Sequence, residues 1–322
     1  MTERGPAAGE FAIIDRWRRR LPGPPSGQVW IGDDAAVLGA TAGTLLLTTD
    51  MAVAGVHADL DLMGLDDLGW RAAAAALSDI AAMGGRALHV VAALAGPPST
   101  DLDLLFDGVA ESVAAHGAQM VGGDLSNAAE VVVAVTATGV VADGPGPVRR
   151  DGARPGDLLF VTGPLGASAA GLRTLRARVA GHEPVAVSPA VPFDPGPLLT
   201  AHRRPRARLA EGEAARRAGA TAMIDVSDGL GADLGHLAGA SGVGFSLDRV
   251  PVAAGATRHE ALGGGEDYEL VFAAPDAERV RRDFDDVGLP VPIAIGVCTA
   301  DPARRECDGV ALEATGFQHR WA

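Results

Sequence analysis

The chain contains no lysine. Its cationic side chains are arginines, and 27 of them stand against 41 acids, leaving a net charge of −14 over 322 residues. Such a balance excludes the cationic surfaces by which proteins hold nucleic acid or an anionic membrane as main partners. It also excludes a lysine-bearing phosphate loop; neither Gly-x-x-x-x-Gly-Lys-Ser/Thr nor a protein-kinase signature occurs. Cysteine is almost as scarce. Cys298 and Cys307 stand nine apart with no Cys-x-x-Cys pattern and no histidine cluster, so a thiolate metal site and a disulfide framework are excluded. Aromatics make up only 4% of a chain that is 48% apolar, so alanine, valine and leucine must fill the core. No run of about 18 apolar residues is free of charge, which excludes a membrane helix. The first residues lack the charged-then-apolar layout of a signal peptide. A reduced, cytoplasmic protein with no nucleic-acid or membrane partner is expected.

What the chain does have is carboxylates set beside glycines and apolar runs. Asp33 and Asp34 follow a glycine and precede Ala35-Ala-Val-Leu38. Asp50 closes the strand-like run that starts at Leu45 and carries Thr48 and Thr49. Asp79 lies near the end of an alanine-rich helical stretch that stops at Gly84-Gly85. Gly122-Gly-Asp124, Asp225-Val-Ser227-Asp228-Gly229 and Gly263-Gly-Gly-Glu266-Asp267 repeat the arrangement. An acid beside an apolar run is costly unless it pairs with a base or holds a cation, and the stretch 31–85 offers no lysine and scarcely any arginine. Oxygen-only ligand sets suit magnesium, manganese or calcium. Glycines beside the acids let a phosphate approach the backbone. The pattern fits a site for a magnesium-bound nucleoside triphosphate.

Plainer readings compete. Asp101 reads as a helix cap, and Asp225, Ser227 and Asp228 can cap the helix from Leu230. His57 reads equally well as a loop histidine, and Phe106 and Phe317 as core residues. The run Arg203-Arg-Pro-Arg-Ala-Arg208 reads as a solvated helix start. Thr162-Gly-Pro-Leu-Gly166, a glycine turn between a strand and a helix, can hold phosphate or simply pack closely. A Ser227–His236–Asp225 triad has only proximity along one loop and helix to recommend it.

At this length two domains are expected. Strands at 45–49, 88–94 and 131–141 alternate with helices at 66–83 and 101–117, after a first helix at 10–20. The alternation predicts a mixed sheet with helices packed on one face. Turn formers crowd residues 142–157, placing the boundary between domains 1–148 and 149–322. The second part predicts strands at 158–161, 221–225, 243–247, 269–273 and 292–297, with helices at 207–219, 229–240 and 275–287.

Seven ordered motifs together resemble the thiamine-monophosphate kinase family, within the aminoimidazole ribonucleotide synthetase-like superfamily of ATP-using enzymes. They are Ile31-Gly-Asp-Asp-Ala-Ala-Val-Leu38, Thr48-Thr-Asp50 with Gly55-Val-His57, Leu77-Ser-Asp-Ile-Ala-Ala-Met-Gly84, Val121-Gly-Gly-Asp124, Val161-Thr-Gly-Pro-Leu-Gly166, Ile224-Asp-Val-Ser-Asp-Gly-Leu230 and Gly264-Gly-Glu-Asp-Tyr-Glu-Leu270. The resemblance implies an α/β (α+β) fold of two domains. In it, the mixed sheet of the N-terminal half pairs with its twin in a homodimer, beside a larger C-terminal α/β half. It implies ATP-dependent phosphorylation of thiamine monophosphate to thiamine diphosphate with several magnesium ions. By position, Asp34, Thr48, Thr49, Asp50, Asp79, Asp124, Asp225 and Asp228 would hold metal. Phe106, Gly123, Asp124, Arg150 and Ser227 would contact ATP, and His57, Glu266 and Phe317 the thiamine side. Phe106 stands where relatives often carry tyrosine. Two alternatives are weighed. Another ATP-using synthetase, such as a selenophosphate-forming one, would need a reactive cysteine in the N-terminal region, where there is none. A non-catalytic nucleotide-binding protein would show erosion of the acid set, and no acid is missing.

Overall fold

A computed structural model describes residues 10–31, 35–39, 41–142, 144–181, 195–312 and 316–317. The first sheet is built from β1 (Thr44–Val53), β2 (Arg86–Gly96), β3 (Gln119–Asn127) and β4 (Val132–Val141), in the order β1-β4-β2-β3. β4 pairs antiparallel with β1 and β2, while β3 runs parallel to β2. Because side chains alternate across a strand, Leu46, Thr48, Asp50 and Ala52 face inward with α2 (Leu65–Ala82). Leu45, Leu47, Thr49 and Met51 are exposed on the outer face.

α2 is the axis of the molecule. Its run of alanines is strongly helix-forming and short-sided, and it is buried along almost its whole length, as a helix with no polar face requires. It packs on the first sheet and on α3 (Leu102–Ala115), whose start is capped by Asp101 accepting from the Leu104 amide at 3.2 Å. Its last turn, Ala81 and Ala82, joins the core of the second half. There α6 (Leu209–Arg217) comes so close that a Cβ on Gly212 would lie 2.1 Å from the Ala81 carbonyl oxygen. α1 (Glu10–Arg18) lies across α3, with Trp17 donating to Asp103 at 2.7 Å.

The second sheet has seven strands: β5 (Leu158–Val161), β6 (Ala222–Asp225), β7 (Gly244–Leu247), β8 (Leu270–Ala274), β9 (Ile293–Thr299), β10 (Arg305–Cys307) and β11 (Val310–Ala311). Their order is β11-β10-β7-β9-β5-β8-β6, antiparallel except where β10 runs parallel to β7. One face carries α7 (Leu230–Ser241) and α8 (Arg258–Gly263) over an aliphatic core. The other carries α6 and α9 (Ala277–Asp285) over Phe160 and Phe272, with Phe284 of α9 stacked on Phe272. α4 (Ala167–Val179) and α5 (Gly196–Arg203) close a smaller cluster around Leu198.

The structure corrects the expected elements at several points. β1 continues to Val53, because β4 supplies partners down to Val132, so Asp50 lies within the strand. β3 was not expected, since Gly122 and Gly123 read only as glycines beside an acid, where a phosphate could approach the backbone. Here Gly123 permits a close approach to β2, where a Cβ would lie 2.2 Å from the Ala92 carbonyl oxygen. The short α8, β10 and β11 were also missed. The arginine run at 203–208 is a strap across the N-terminal helices, in place of the expected solvated start. Arg204 bonds Asp66, Asp67 and Glu111 and lies 5.3 Å from the centre of the Trp70 ring. Trp70 in turn donates to the Pro205 carbonyl at 2.7 Å.

Candidate active site

Where α2 passes between the two sheets it carries Asp79, and a cavity opens on either side of that carboxylate. The larger, of about 740 Å³, is lined from the first half by Asp50, His57 and Arg71 and from the second by Asp225, Ser227, Asp228, Glu266 and Phe317. The smaller, of about 500 Å³, is lined by Thr48, Asp79, Met83, Arg149 and Arg150. Thr48 Oγ1 donates to Asp79 Oδ2 at 2.5 Å, tying β1 to α2. Ser78 Oγ donates to Asp225 Oδ2 at 2.7 Å, tying α2 to the end of β6.

Burial, and for some of them a neighbouring charge, raises the proton affinity of these carboxylates. Burial raises Asp50 above the ordinary aspartate range, and the charge of Asp79 adds to it. Burial raises Asp79 too, against the Thr48 hydroxyl and Arg150. Asp225, buried at 4% exposure, is pushed up to about 6 by burial and then by Asp79. A further acid, Asp233, is pushed up to about 7 by burial, Asp225 and Asp228. Its Oδ2 accepts from the backbone amides of Asp228 and Gly229, each at 3.0 Å, so it shapes the loop that presents Asp228. Sequence reading missed Asp233, although its place five residues after Asp228, in the first turn of α7, was a usable signal.

The far wall of the larger cavity is different. His57 Nδ1 accepts from the Val53 amide at 3.0 Å, which fixes the neutral tautomer with Nε2–H presented. Its ring centre lies 6.5 Å from that of Phe317. Glu266 sits at φ 66, outside the usual range of a residue with a side chain, and pairs with the buried Arg71. Arg71 was also missed; nothing in an alanine-rich helix marks one arginine as a partner for an acid 195 positions away.

Other expected residues fall elsewhere. Asp34 lies outside the described residues. Phe106 is 1% exposed and stacked on Trp17 with ring centres 4.1 Å apart, so the core occupies both its faces and it lines neither cavity. Thr49 points to the outer face of β1, donating to the Val135 carbonyl at 3.3 Å and accepting from Thr136 at 3.1 Å. Gly123 and Asp124 are exposed on β3 and line neither cavity. Nor does the turn at 162–166 present a free helix end to a phosphate. Asp267 accepts from the Gly166 amide at 2.5 Å and the Ser168 amide at 3.0 Å, filling that end with the protein's own anion.

Among the described residues no three histidine, cysteine or acidic side chains stand together as a complete metal cage. Magnesium does not ask for one, since it commonly takes one or two carboxylates, waters and substrate phosphates. Carboxylates withdrawn from water, with Asp79 raising the proton affinity of Asp50 and Asp225 and with hydroxyl partners on Asp79 and Asp225, fit such an ion. Residues 32–141 match the family model described as AIR synthase related protein, N-terminal domain, and residues 154–306 match its C-terminal domain. The two sheets and the cleft between them therefore define a protein of the AIR synthase related class.

Within that class the chain belongs to the thiamine-monophosphate kinase family. It is 40% identical over 285 residues to the thiamine-monophosphate kinase of Mycobacterium tuberculosis (strain ATCC 25618 / H37Rv), covering 83% of this chain and 81% of the relative. It is 35% identical over 334 residues to that of Escherichia coli (strain K12), covering 97% and 98%. The solved thiamine-monophosphate kinase of Stenotrophomonas maltophilia K279a superposes with a TM-score of 0.78 at 34% identity, covering 94% and 97% of the two chains. A structure of AaThiL complexed with AMPPCP and TMP superposes with a TM-score of 0.74 at 30% identity, covering 99% and 100%.

Proposed function

We propose that this enzyme transfers the γ-phosphoryl group of ATP directly to the phosphate of thiamine monophosphate, giving thiamine diphosphate. The observation that carries the reading is the cleft itself, in which half-buried and buried acids from both halves converge around Asp79. The relative that binds AMPPCP and TMP at 30% identity supports the substrate pair. Asp50, Asp79, Asp225 and Asp228, with Asp34, would hold magnesium, and Arg150 and Ser227 would contact ATP. Arg150 opens the second domain if the chain divides at 148/149. Thiamine monophosphate would lie against His57, Glu266 and Phe317.

The acceptor is a phosphate monoester, largely dianionic near neutral pH because its second pKa is about 6. It is a nucleophile already and needs no general base. What opposes reaction is repulsion between two anions. Magnesium held by Asp50, Asp79, Asp225 and Asp228 would supply the positive charge that offsets this repulsion. The chain's part is to hold the acceptor in line: His57, presented as a neutral donor, binds and does not take a proton. No phosphoenzyme forms.

Exposed Leu45, Leu47 and Met51 on the outer face of the first sheet support a homodimer formed through that face. The two buried free cysteines suit a cytoplasmic protein, and among the described residues no helix is long and apolar enough to cross a membrane. Incubation with ATP, magnesium and thiamine monophosphate tests the reading. Thiamine diphosphate in amounts equal to the ADP released is expected. ADP release that ignores thiamine monophosphate, or a phosphorylated protein trapped from ATP alone, overturns it.

A further inference from the structure

α2 works as a ruler along the larger cavity. Arg71, Ala75 and Asp79 lie on one face of it, at successive spacings of four, and all three line the cavity. Eight residues of helix span about 12 Å, so Arg71 marks a second station two turns from the acids. A phosphate drawn to the acid end through magnesium leaves the organic part of the acceptor at the Arg71 end.

Arg71 is 4% exposed and spends its donors on three separate segments. It pairs with Glu266 on the loop before β8 and donates to the His202 carbonyl on α5. It also donates to the His57 carbonyl at 3.3 Å on the turn after β1. Two of these, His57 and Glu266, are the groups that wall the thiamine end. Glu266 is held in a left-handed backbone conformation, which a residue with a side chain rarely adopts. Its amide is anchored to the Ser227 carbonyl at 2.8 Å. The Arg71 pair adds a second restraint, on the carboxylate itself. It engages Oε1 of a residue that lines the cavity. A carboxylate there repels a phosphate and attracts a cationic or amino-bearing heterocycle.

We propose that Arg71 is a positioning residue for the acceptor: it fixes Glu266 and the His57 turn as a preset wall that recognises the cationic heterocycle of the substrate. The inference rests on the function proposed above. Arg71 touches no reacting atom, so its loss acts on binding of one substrate.

The test is a kinetic double-mutant cycle with Arg71→Gln, Arg71→Lys, Glu266→Gln and the double variant Arg71→Gln/Glu266→Gln, each first checked for a wild-type circular dichroism spectrum. Losing one charged hydrogen bond changes an affinity by about tenfold or more. Arg71→Gln is expected to raise KM for thiamine monophosphate by about that factor, with kcat and KM for ATP nearly unchanged. Arg71→Lys should recover part of the loss. In the Glu266→Gln background, Arg71→Gln should raise this KM by a smaller factor than in wild type, because the charge that Arg71 orients is already gone and only its bond to the His57 turn remains to be lost. Equal and independent effects of the two single variants on KM overturn the proposal. So does a loss confined to kcat, or a loss of ATP affinity of the same size. If Arg71→Gln does not fold, Arg71→Lys and Glu266→Gln alone must still raise the same KM and leave that for ATP unchanged, or the proposal falls. A wild-type protein that forms no thiamine diphosphate overturns the functional reading, and this inference with it; normal turnover with unchanged KM in Arg71→Gln overturns this inference alone.

Discussion

Removing the charge of Asp225 should stabilise the metal-free protein while abolishing its activity. The carboxyl lies at the end of β6, buried, with Ser78 donating to it and Asp79 close enough to raise its proton affinity. Its pKa moves from the ordinary 3.8 up to about 6 in the folded chain. The sign follows from which state holds the proton. Below about pH 4 both folded and unfolded chains are protonated there, and the group is neutral to stability. From about pH 4 to 6 the unfolded chain has released a proton that the folded one keeps, so stability falls as pH rises. Above about pH 6 both are ionised and the full penalty stands. Each tenfold change in proton affinity is worth about 1.4 kcal/mol, so the penalty at pH 8 is about 3 kcal/mol and at pH 5 about half that. Asp225→Asn keeps an oxygen to accept from Ser78 and discards the charge. Urea unfolding in a chelator should therefore find the variant more stable than wild type, by about 1.5 kcal/mol near pH 5 and about 3 kcal/mol near pH 8. A variant less stable than wild type at pH 8, or a gap that does not widen with pH, would refute the electrostatic account. Turnover should fall to near background if, as proposed, the same charge holds magnesium.

Asp79→Asn should likewise lose nearly all turnover at saturating magnesium while unfolding no earlier than wild type, and near-normal turnover would remove Asp79 from the site. His57→Ala should mainly raise KM for thiamine monophosphate; a large fall in kcat alone would point to proton transfer instead. Phe106→Ala, which empties a stacked core position beside Trp17, should cost about 3–5 kcal/mol in urea unfolding and leave KM for ATP unchanged. Leu47→Glu places a charge on the exposed outer sheet face, and sedimentation should shift the protein from a dimer to a species of the chain mass of 32.6 kDa.

The chain's own letters determined its charge, its want of lysine, its acid-and-glycine motifs and the alternation that builds α2, α3 and most strands. These are local or additive properties, and a helix rich in alanine or a strand rich in valine reads the same in any context. Asp79 was legible because a carboxylate within such a helix needs a reason to be there. Tertiary structure decided what depends on direction and on distant partners. Strand parity sends Thr48 to Asp79 and its neighbour Thr49 to the opposite face. Close packing on β2 makes Gly122-Gly123 part of a strand, and Asp267 takes the helix end read as able to hold phosphate. Phe106 entered the core because Trp17, on a separate helix, arrives to stack on it. Arg71 and Glu266 meet across the whole fold, and Arg204 binds acids more than 90 positions away. A buried ion pair is an agreement between two places in space, and only the folded chain brings those places together.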